Sequence, residues 1–427
     1  PLLGGLLLAP ALAPPLAHAQ DSEGPLVLRG VVLRGEPVEP IPDGGVVVSG
    51  GKIVAVGPFD ELRLPSGARI QRGAWITPGL VDAHSTLGVE AETWAEHQSE
   101  VVPHLRVLDG VDLLHPDFAR ALRRGVTTVY VSPGPGSVVG GQGCTLKTGG
   151  PLARRVVQAD GAVKANLGPE AWARGVRNRG PWGEVDFRTR RPTTLMGAVW
   201  VFREAFAKAR AGRFPGPAGH ALAEVLAGHR PLRVQARLRG TIETALRLAE
   251  EFSLPVVLEE ATEAYEVLDL LAAARVRVIY GPTFERPRGV RATTGEADRP
   301  CLRTPRLLLE RGIPFCLTAN DRRDEDGLWA QALWATRYGL STPEALAAVS
   351  AWAADIIGGA AAERVGRLAP GRDADVVLWS GEPFAATTRA ELVLIDGAVV
   401  HGRLNATPAP LPSRPAPVPE PEKRRFK

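Results

Sequence analysis

The chain contains the stretch Ile76-Thr77-Pro78-Gly79-Leu80-Val81-Asp82-Ala83-His84-Ser85-Thr86, and this stretch decides the fold. An apolar segment passes through a Pro-Gly pair and ends in polar residues, which is typical of a buried strand that leads into a site. Strand side chains alternate between faces, so Asp82, His84 and Thr86 are expected on one face. Two histidines at the spacing of His84 and Thr86 would chelate one metal ion, whereas an imidazole and a hydroxyl form a weaker pair. The stretch therefore predicts the scaffold of a metal site in which one ligand is replaced.

The composition is that of an ordinary globular protein. Of the 427 residues, 44% are hydrophobic and 23% are charged, which is enough to build one large domain and a smaller one. The net charge is +4, from 51 Lys and Arg against 47 Asp and Glu. Because the basic residues are scattered over the chain, apart from its last five residues, no nucleic acid is expected as a partner.

Residues 1–19 are predicted to be a signal peptide. They are apolar and end in Ala17-His18-Ala19, which matches the hydrophobic region and small-residue cleavage site of a secretory signal. The segment is interrupted by Pro10, Pro14 and Pro15 and is too short to cross a bilayer, so no membrane span is expected. A secreted or periplasmic location is therefore predicted.

Two segments near the ends of the chain predict a small β domain. Residues 24–77 and 365–404 alternate short runs of Val, Leu and Ile with Gly and Pro, the pattern of antiparallel strands and turns. The two segments are expected to pair into one β-sandwich. Residues 405–427 are rich in Pro and Ala and are predicted to be a disordered tail.

Residues 78–364 show apolar strands followed by amphipathic helices, which indicates an α/β domain. Strands are predicted at 125–132, 231–238, 255–260, 276–280 and 313–319, and helices at 241–252, 263–274, 306–311, 328–338 and 343–357. Repeated strand-helix units predict a parallel sheet, and the length fits a TIM-like (β/α)8 barrel, which takes about 250 residues. A doubly wound sheet is the alternative, but no G-x-G-x-x-G opens a helix after the first strand. Residues 140–143, Gly-Gly-Gln-Gly, are predicted to form a tight turn over the barrel.

A barrel of this kind carries its site at the C-terminal ends of the strands. The strand that starts near residue 231 delivers Gln235 and Arg237, the next delivers Glu260, and the last delivers Asn320 and Asp321. None of these ends carries a histidine. Lys164, one of only six lysines, lies in the apolar run 162–167, where it is either a site residue or a snorkelling surface side chain.

Several motifs together resemble the amidohydrolase superfamily, close to imidazolonepropionase-like and dipeptidase-like metal-dependent hydrolases. The resemblance extends from Leu26 to Gly402, and it rests on the stretch at 78–84, Gly125-Val126-Thr127-Thr128, Gly140-Gly141-Gln142-Gly143, the segment 258–265 and the closing segment 366–375. It implies a barrel flanked by a split β-sandwich. It also implies a site of one or two metal ions that activates water for attack on an amide-type carbon, with an aspartate as general base.

The resemblance also implies which residues occupy the family's site. His84 stands at the first metal ligand, and Lys164 stands where relatives place a lysine that can be carboxylated and bridge two metals. The other positions are substituted: Thr86, Gln235, Arg237 and Glu260 stand where histidines belong, and Asn320 stands in place of the catalytic aspartate, with Asp321 next to it.

These substitutions leave few ligands for a divalent ion, which needs about four. His84 and Glu260 are the expected donors, with Asp321 after a local shift. Arg237 also brings a permanent cation to the place of the metal, which repels a divalent ion. We therefore expect that an ion pair between Arg237 and Glu260 replaces the metal.

Two functional hypotheses follow. The first is an exported, non-catalytic relative without a cofactor, which binds a small-molecule ligand or pairs with another subunit, as a homodimer or as a heterodimer with an intact paralogue. The second is a hydrolase of C-N bonds in amides, cyclic amides or dipeptides, with zinc or another divalent metal held by His84, Glu260 and Asp321. The ligand count favours the first hypothesis, in which His84 is a hydrogen-bonded structural histidine. The sequence does not identify a substrate.

Overall fold

The computed structural model describes residues 24–90, 95–96, 99–173, 191–283, 290–294, 299–320 and 327–408. The predicted signal peptide, the candidate residue Asp321 and the tail beyond residue 408 lie outside these ranges. The strands are β1 (Leu26–Val32), β2 (Ile41–Ser49), β3 (Lys52–Pro58), β4 (Arg69–Pro78), β5 (Leu80–Ser85), β6 (Val126–Val131), β7 (Val139–Gln142), β8 (Cys144–Lys147), β9 (Val156–Gln158), β10 (Val163–Asn166), β11 (Leu232–Ala236), β12 (Val256–Glu260), β13 (Arg277–Tyr280), β14 (Phe315–Leu317), β15 (Val376–Trp379), β16 (Ala390–Ile395), β17 (Ala398–Gly402) and β18 (Thr407–Pro408).

The helices follow the strands of the central part of the chain. They are α1 (Pro116–Arg123), α2 (Leu152–Arg155), α3 (Pro169–Trp172), α4 (Leu195–Arg210), α5 (Gly216–Leu226), α6 (Arg239–Phe252), α7 (Leu268–Ala274), α8 (Val290–Thr294), α9 (Thr304–Glu310), α10 (Gly327–Arg337), α11 (Thr342–Ala348), α12 (Ala351–Ile357) and α13 (Gly359–Arg364). Short 3-10 turns occur at Phe59–Glu61, Val107–Gly110 and Ala264–Glu266. Within the described residues, no helix is both long enough and apolar enough to span a bilayer.

The two ends of the chain form one sheet, which we call the flanking sheet. Its eight strands are hydrogen-bonded in the order β17, β16, β15, β4, β1, β2, β3, with β18 beside β4. The N-terminal and C-terminal segments meet where β4 and β15 pair antiparallel, with Ile76 opposite Leu378. Continuous hydrogen bonding therefore unites segments that are about 300 residues apart into a single eight-stranded sheet rather than two separate sheets.

The central part of the chain is built on parallel strands. β5 pairs parallel with β6, and β10, β11, β12, β13 and β14 form a second parallel array in chain order. The predicted alternation of parallel strands and helices is therefore present. In the described residues the two arrays are separate hydrogen-bonded sheets. They are bridged where the Thr318 hydroxyl oxygen, just past β14, lies 2.6 Å from the carbonyl oxygen of His84 at the end of β5.

The glycine-rich residues 140–143 are not the predicted turn. They form most of β7 and the link to β8, and β7 pairs antiparallel with β10. A Cβ on Gly141 would come within 2.5 Å of the Leu105 carbonyl oxygen, and one on Gly143 would lie 2.3 Å from the Tyr130 ring. Glycine occurs here because neighbouring groups pack directly against the extended backbone.

Candidate active site

Strand alternation decides which side chains line the site. On β11 the apolar Leu232, Val234 and Ala236 pack into the main core with the helices. The opposite face therefore presents Arg233 and Gln235, and Arg237 continues that face one residue beyond the strand. All three polar side chains belong to buried residues, with exposures of 2–4%. A long polar row of this kind is costly to bury unless its charges are paired.

Four residues form a group that we call the inner cluster: His84, Lys164, Arg233 and Glu259. The Lys164 ammonium lies 2.8 Å from Glu259 Oε2 and 3.4 Å from His84 Nε2, and it donates to Ser132 Oγ at 3.3 Å. The side chains of Lys164 and Glu259 are 3% and 0% exposed. Lys164 is therefore a buried, ion-paired residue and not a snorkelling surface lysine.

Arg233 is the second cation of the inner cluster. Its Nε lies 2.7 Å from Glu259 Oε1. This contact is an ion pair and not a hydrogen bond, because the Nε–H bond does not point at the oxygen. Its guanidinium carbon lies 3.8 Å from the centroid of the Tyr130 ring, and a terminal nitrogen donates to the Ala83 carbonyl. One carboxylate thus holds two buried cations, and the aromatic face and the carbonyl stabilise the guanidinium further.

The electrostatics of the cluster follow from burial and charge. Burial alone would raise the pKa of the Glu259 carboxyl, but the positive groups around it, including Lys164 and Arg233, hold that pKa well below its ordinary value. Burial lowers the pKa of His84 from 6.5 to about 3, although Glu259 opposes the shift. His84 is therefore a neutral imidazole at physiological pH. Its Nε2 accepts from Lys164, and among the described residues its Nδ1 has no hydrogen-bond partner.

This burial of a neutral imidazole predicts a pH dependence of stability. Below pH 6.5 the unfolded chain binds a proton on His84, whereas the folded protein does so only near pH 3. The free energy of unfolding should therefore fall as the pH is lowered, by about 2 kcal/mol between pH 7 and pH 5. Denaturant unfolding at both pH values measures this difference. In a His84→Gln variant the free energy of unfolding should fall by about 2 kcal/mol less between pH 7 and pH 5. An equal fall in the variant and the wild type would contradict a buried neutral His84.

A second group lies at the strand ends, and we call it the outer cluster: Glu170, Arg237, Glu260 and Asn320. The Arg237 Nε contacts Glu260 Oε2, and its terminal nitrogens lie 2.7 and 3.2 Å from the two Glu170 oxygens. Asn320 Nδ2 donates to Glu260 Oε1 at 3.1 Å. The contact expected between Arg237 and Glu260 is thus present, and Glu170 adds a second carboxylate to the same guanidinium.

The backbone at the outer cluster is unusual. Glu260 has φ +70° and Asn320 has φ +45°, both in the left-handed region. Asparagine adopts this conformation readily, whereas glutamate seldom does. Each residue ends or follows a parallel strand, so the positive φ turns the chain and brings the two side chains together. Strain of this kind concentrates at functional sites and at positions that the surroundings fix firmly.

Asp82 organises the end of β5. Its carboxylate accepts from the backbone N–H of His84 at 3.0 Å and from the Thr318 hydroxyl at 2.5 Å. It also accepts from the Ala319 N–H at 3.3 Å. These bonds fix the first and last parallel strands relative to each other, so Asp82 is a positioning residue for His84.

The described residues do not form a ligand set that fits a divalent metal. The imidazole of His84 and the carboxylate of Glu259 lie 3.6 Å apart, but the ammonium of Lys164 contacts both. Carboxylation of Lys164 would replace its cation with an anion beside Glu259, and the described residues offer no set of ligands that would hold a metal cation to balance the two anions. In the part of the chain that the structure describes, no three His, Cys, Asp or Glu side chains converge as metal ligands.

The predicted site residues therefore divide into two sets. The structure brings His84 and Lys164 together in the inner cluster, and Arg237, Glu260 and Asn320 together in the outer cluster. Gln235 is buried between them on β11, and Thr86 is buried with a hydroxyl that has no partner among the described residues. Glu260, predicted as a metal ligand, contacts Arg237 and Asn320, while its neighbour Glu259 contacts Lys164.

Several functional residues were not predicted from the sequence. Glu259 and Arg233 were recoverable, because the two-residue alternation of β11 and β12 places them on the inner face with Lys164. Glu170 gives no such signal. It lies on a four-residue helix after β10, and only the fold brings it to Arg237.

Comparisons with known proteins agree with the fold and the motifs. An imidazolonepropionase-like composite domain of bacteria matches residues 44–64. Amidohydrolase tasK of Hapsidospora irregularis is 24% identical over 92% of this chain, which spans only 46% of that longer protein. The imidazolonepropionase of Cupriavidus taiwanensis is 28% identical, over 81% of this chain and 86% of its own.

A solved structure extends the similarity to the whole architecture. The crystal structure of an amidohydrolase from Thermotoga maritima MSB8 is 29% identical, with a TM-score of 0.76, and covers 88% of this chain and 100% of its own. The sequence motifs, the parallel strands with the flanking sheet, and these relatives lead to one conclusion. The chain belongs to the amidohydrolase superfamily.

Proposed function

We propose that this chain is a non-catalytic member of the superfamily that binds a ligand without hydrolysing it. The observation that carries the proposal is the inner cluster, in which Lys164 and Arg233 are both paired with Glu259. These three fixed charges occupy the place where a hydrolase needs a metal-bound water, and the single carboxylate is shared by both cations. The outer cluster supports the same view, because Arg237 places a further cation over the site.

Chemistry by the side chains alone is also poorly supported. A general base needs a free lone pair aimed at the substrate and a suitable pKa. The Glu259 carboxylate is bound to two cations, and Glu260 is bound to Arg237 and Asn320. His84 is 1% exposed, and its Nε2 faces Lys164. None of these groups is placed to activate water in an open site.

An activity assay tests the proposal. The purified chain, incubated with zinc or manganese, is assayed on dipeptides, N-acyl amino acids and cyclic amides. We expect no turnover above that of a heat-denatured sample. Turnover that requires His84, shown by its loss in a His84→Ala variant, would overturn the proposal.

The effect of a chelator separates fixed charges from a metal as the source of stability. EDTA should leave the melting temperature unchanged, whereas Arg237→Ala should lower the free energy of unfolding by about 2–4 kcal/mol, because Glu170 and Glu260 lose their shared cation. Arg239→Ala is a matched control, since that arginine is 59% exposed and pairs with Glu243 on the surface, so a change below about 1 kcal/mol is expected. Melting curves measure both. Unfolding by EDTA with no effect of Arg237→Ala would contradict the proposal.

A C-N hydrolase with a rearranged site is the second candidate. The positive φ angles of Glu260 and Asn320 favour it, because strain of this kind is common in active sites. Such an enzyme would use zinc or another divalent metal near His84, and the same activity assay decides between the two functions.

Export and pairing complete the proposal. Residues 1–19 support a secreted or periplasmic location, which immunoblotting of cell fractions tests. We further propose that the chain pairs with a second copy or with an intact paralogue, whose metal site would supply the missing activity. Light scattering of the purified chain, alone and after co-expression with such a paralogue, tests the pairing, and a monomer in both samples would contradict it.

A further inference from the structure

We infer that Arg237 forms an anion site for the carboxylate of a small monoanionic ligand, and that Glu170 occupies this site when no ligand is bound. The inference rests on the proposed binding function and names the chemistry of the ligand. It assigns to Arg237 a role that a metal ligand at this position would not have.

The contact between Glu170 and Arg237 has the geometry of a bound carboxylate. The two Glu170 oxygens face the two terminal nitrogens of the guanidinium, at 2.7 Å for Oε1 and 3.2 Å for Oε2. This is the two-pronged arrangement in which arginine recognises the carboxylates of ligands. An external carboxylate could adopt the same arrangement without any change in Arg237.

Arg237 is held in place without Glu170. Its Nε contacts Glu260, and Glu260 in turn accepts from Asn320. The positive φ angles of Glu260 and Asn320 direct both side chains to this point. The guanidinium is therefore positioned from one side by the strand ends, while its two terminal nitrogens face Glu170. A site that stays in place when its internal anion leaves is suited to ligand exchange.

Glu170 is the most exposed of the three charged members of the outer cluster. Its side chain is 13% exposed, against 4% for Arg237 and 3% for Glu260. It lies on α3, which has only four residues and follows Gly168. A Cβ on Gly168 would lie 2.5 Å from Glu170 Oε2, so glycine at this position makes room for the carboxylate. Rotation of this one side chain toward solvent opens the site and leaves the parallel strands intact.

The local charge favours a monoanion. Burial alone would raise the pKa of Glu170, but Arg237 and, more weakly, Arg291 lower it, so two cations act on this carboxylate. When Glu170 moves away, the two terminal nitrogens of Arg237 lose the carboxylate that they contact. A ligand with one carboxylate takes its place, whereas a neutral ligand does not.

Binding of N-acetylglycine to the full chain, measured by calorimetry, tests the inference. If Glu170 blocks the site, Glu170→Ala should bind this probe about tenfold or more tightly than the wild type, because the competing internal anion is gone. N-acetylglycinamide, which has the same shape without the charge, should not bind. Adding Arg237→Gln to Glu170→Ala should abolish binding. Glu243→Ala, which removes an exposed carboxylate, is the control that should leave the affinity of the wild type unchanged.

The outcomes separate this inference from the proposed function. A folded Glu170→Ala variant that binds the probe no better than the wild type would overturn the inference, as would binding that persists without Arg237. If Glu170→Ala fails to fold, Glu170→Gln keeps the shape of the side chain and weakens the pairing, and it must show the same gain in affinity. Release of glycine from the probe would instead overturn the non-catalytic function and leave the carboxylate site standing.

Discussion

Glu259→Gln should lower the free energy of unfolding by about 3–5 kcal/mol, which is a large part of the stability of an ordinary domain. Glu259 is fully buried and is the shared partner of Lys164 and Arg233. The amide has nearly the same shape but no charge, so the variant leaves two buried cations without their anion. The loss comes from those uncompensated charges and not from a cavity. Chemical denaturation at neutral pH measures it.

Glu251→Gln is the matched control for this variant. The Glu251 side chain is 40% exposed and pairs with Arg203, whose Nε lies 2.8 Å away. The same chemical change should cost less than about 1 kcal/mol there, because water screens the pair and solvates the arginine left behind. Equal effects at Glu251 and Glu259 would show that the inner cluster is not held by charge.

Lys147→Met should be the second most destabilising change, again by about 3–5 kcal/mol. The Lys147 ammonium is fully buried and lies 2.7 Å from Asp373, 2.9 Å from Asp375 and 2.6 Å from Asp396. Burial lowers the pKa of Lys147, but the three aspartates outweigh burial and raise it, so the lysine carries its charge. Methionine fills much of the space and leaves the carboxylates facing one another.

The Lys147→Met change should loosen mainly the contact between β8 and the flanking sheet. Lys147 ends β8. Asp373 and Asp375 precede β15, and Asp396 lies in the turn between β16 and β17. The lysine therefore links the flanking sheet to β8, which pairs antiparallel with β6, and hydrogen exchange in Lys147→Met should rise first in β15 to β17. Lys208→Met is the control, since Lys208 pairs with Glu204 one helical turn away on the surface. Similar melting temperatures for the two variants would exclude the proposed role of Lys147.

Much of the fold was predictable because it follows from local patterns. The strands near residues 126, 232 and 256 and the helix ending at Phe252 agree with the periodicity of their side chains, to within a few residues. The segment 343–357 was predicted as one helix, but it breaks at Ser350, whose hydroxyl donates to the Leu346 carbonyl at 2.6 Å. The closed eight-stranded barrel stays a prediction.

Other elements gave weaker signals. α4 and α5 lie between β10 and β11, where the regular strand-helix alternation predicts only one helix, and neither was predicted. The apolar spacing of Ala198, Val201, Phe202, Ala205 and Phe206 is nonetheless helical, and all five are buried in α4. β7 was not predicted, because its glycines are typical of a turn and the sequence does not show that neighbouring groups pack closely against them.

The candidate site was predictable in position, and of its ion pairs only that between Arg237 and Glu260 was predicted. Strand ends identified His84, Arg237, Glu260 and Asn320, since the fold class alone places them together. The partners of the cations come from distant parts of the chain: Lys147 and Asp396 are 249 residues apart, and Arg237 and Glu170 are 67 apart. Such contacts depend on three-dimensional packing, and no local pattern contains them.

The central claim is that fixed protein charges occupy the place of the metal. Crystals grown in excess zinc, with diffraction data collected at the zinc absorption edge, test it most directly. We predict no anomalous peak among His84, Lys164 and Glu259, with the Lys164 side chain present as a plain amine paired to Glu259. A fully occupied zinc ion bound to His84, with Lys164 carboxylated beside it, would contradict the account.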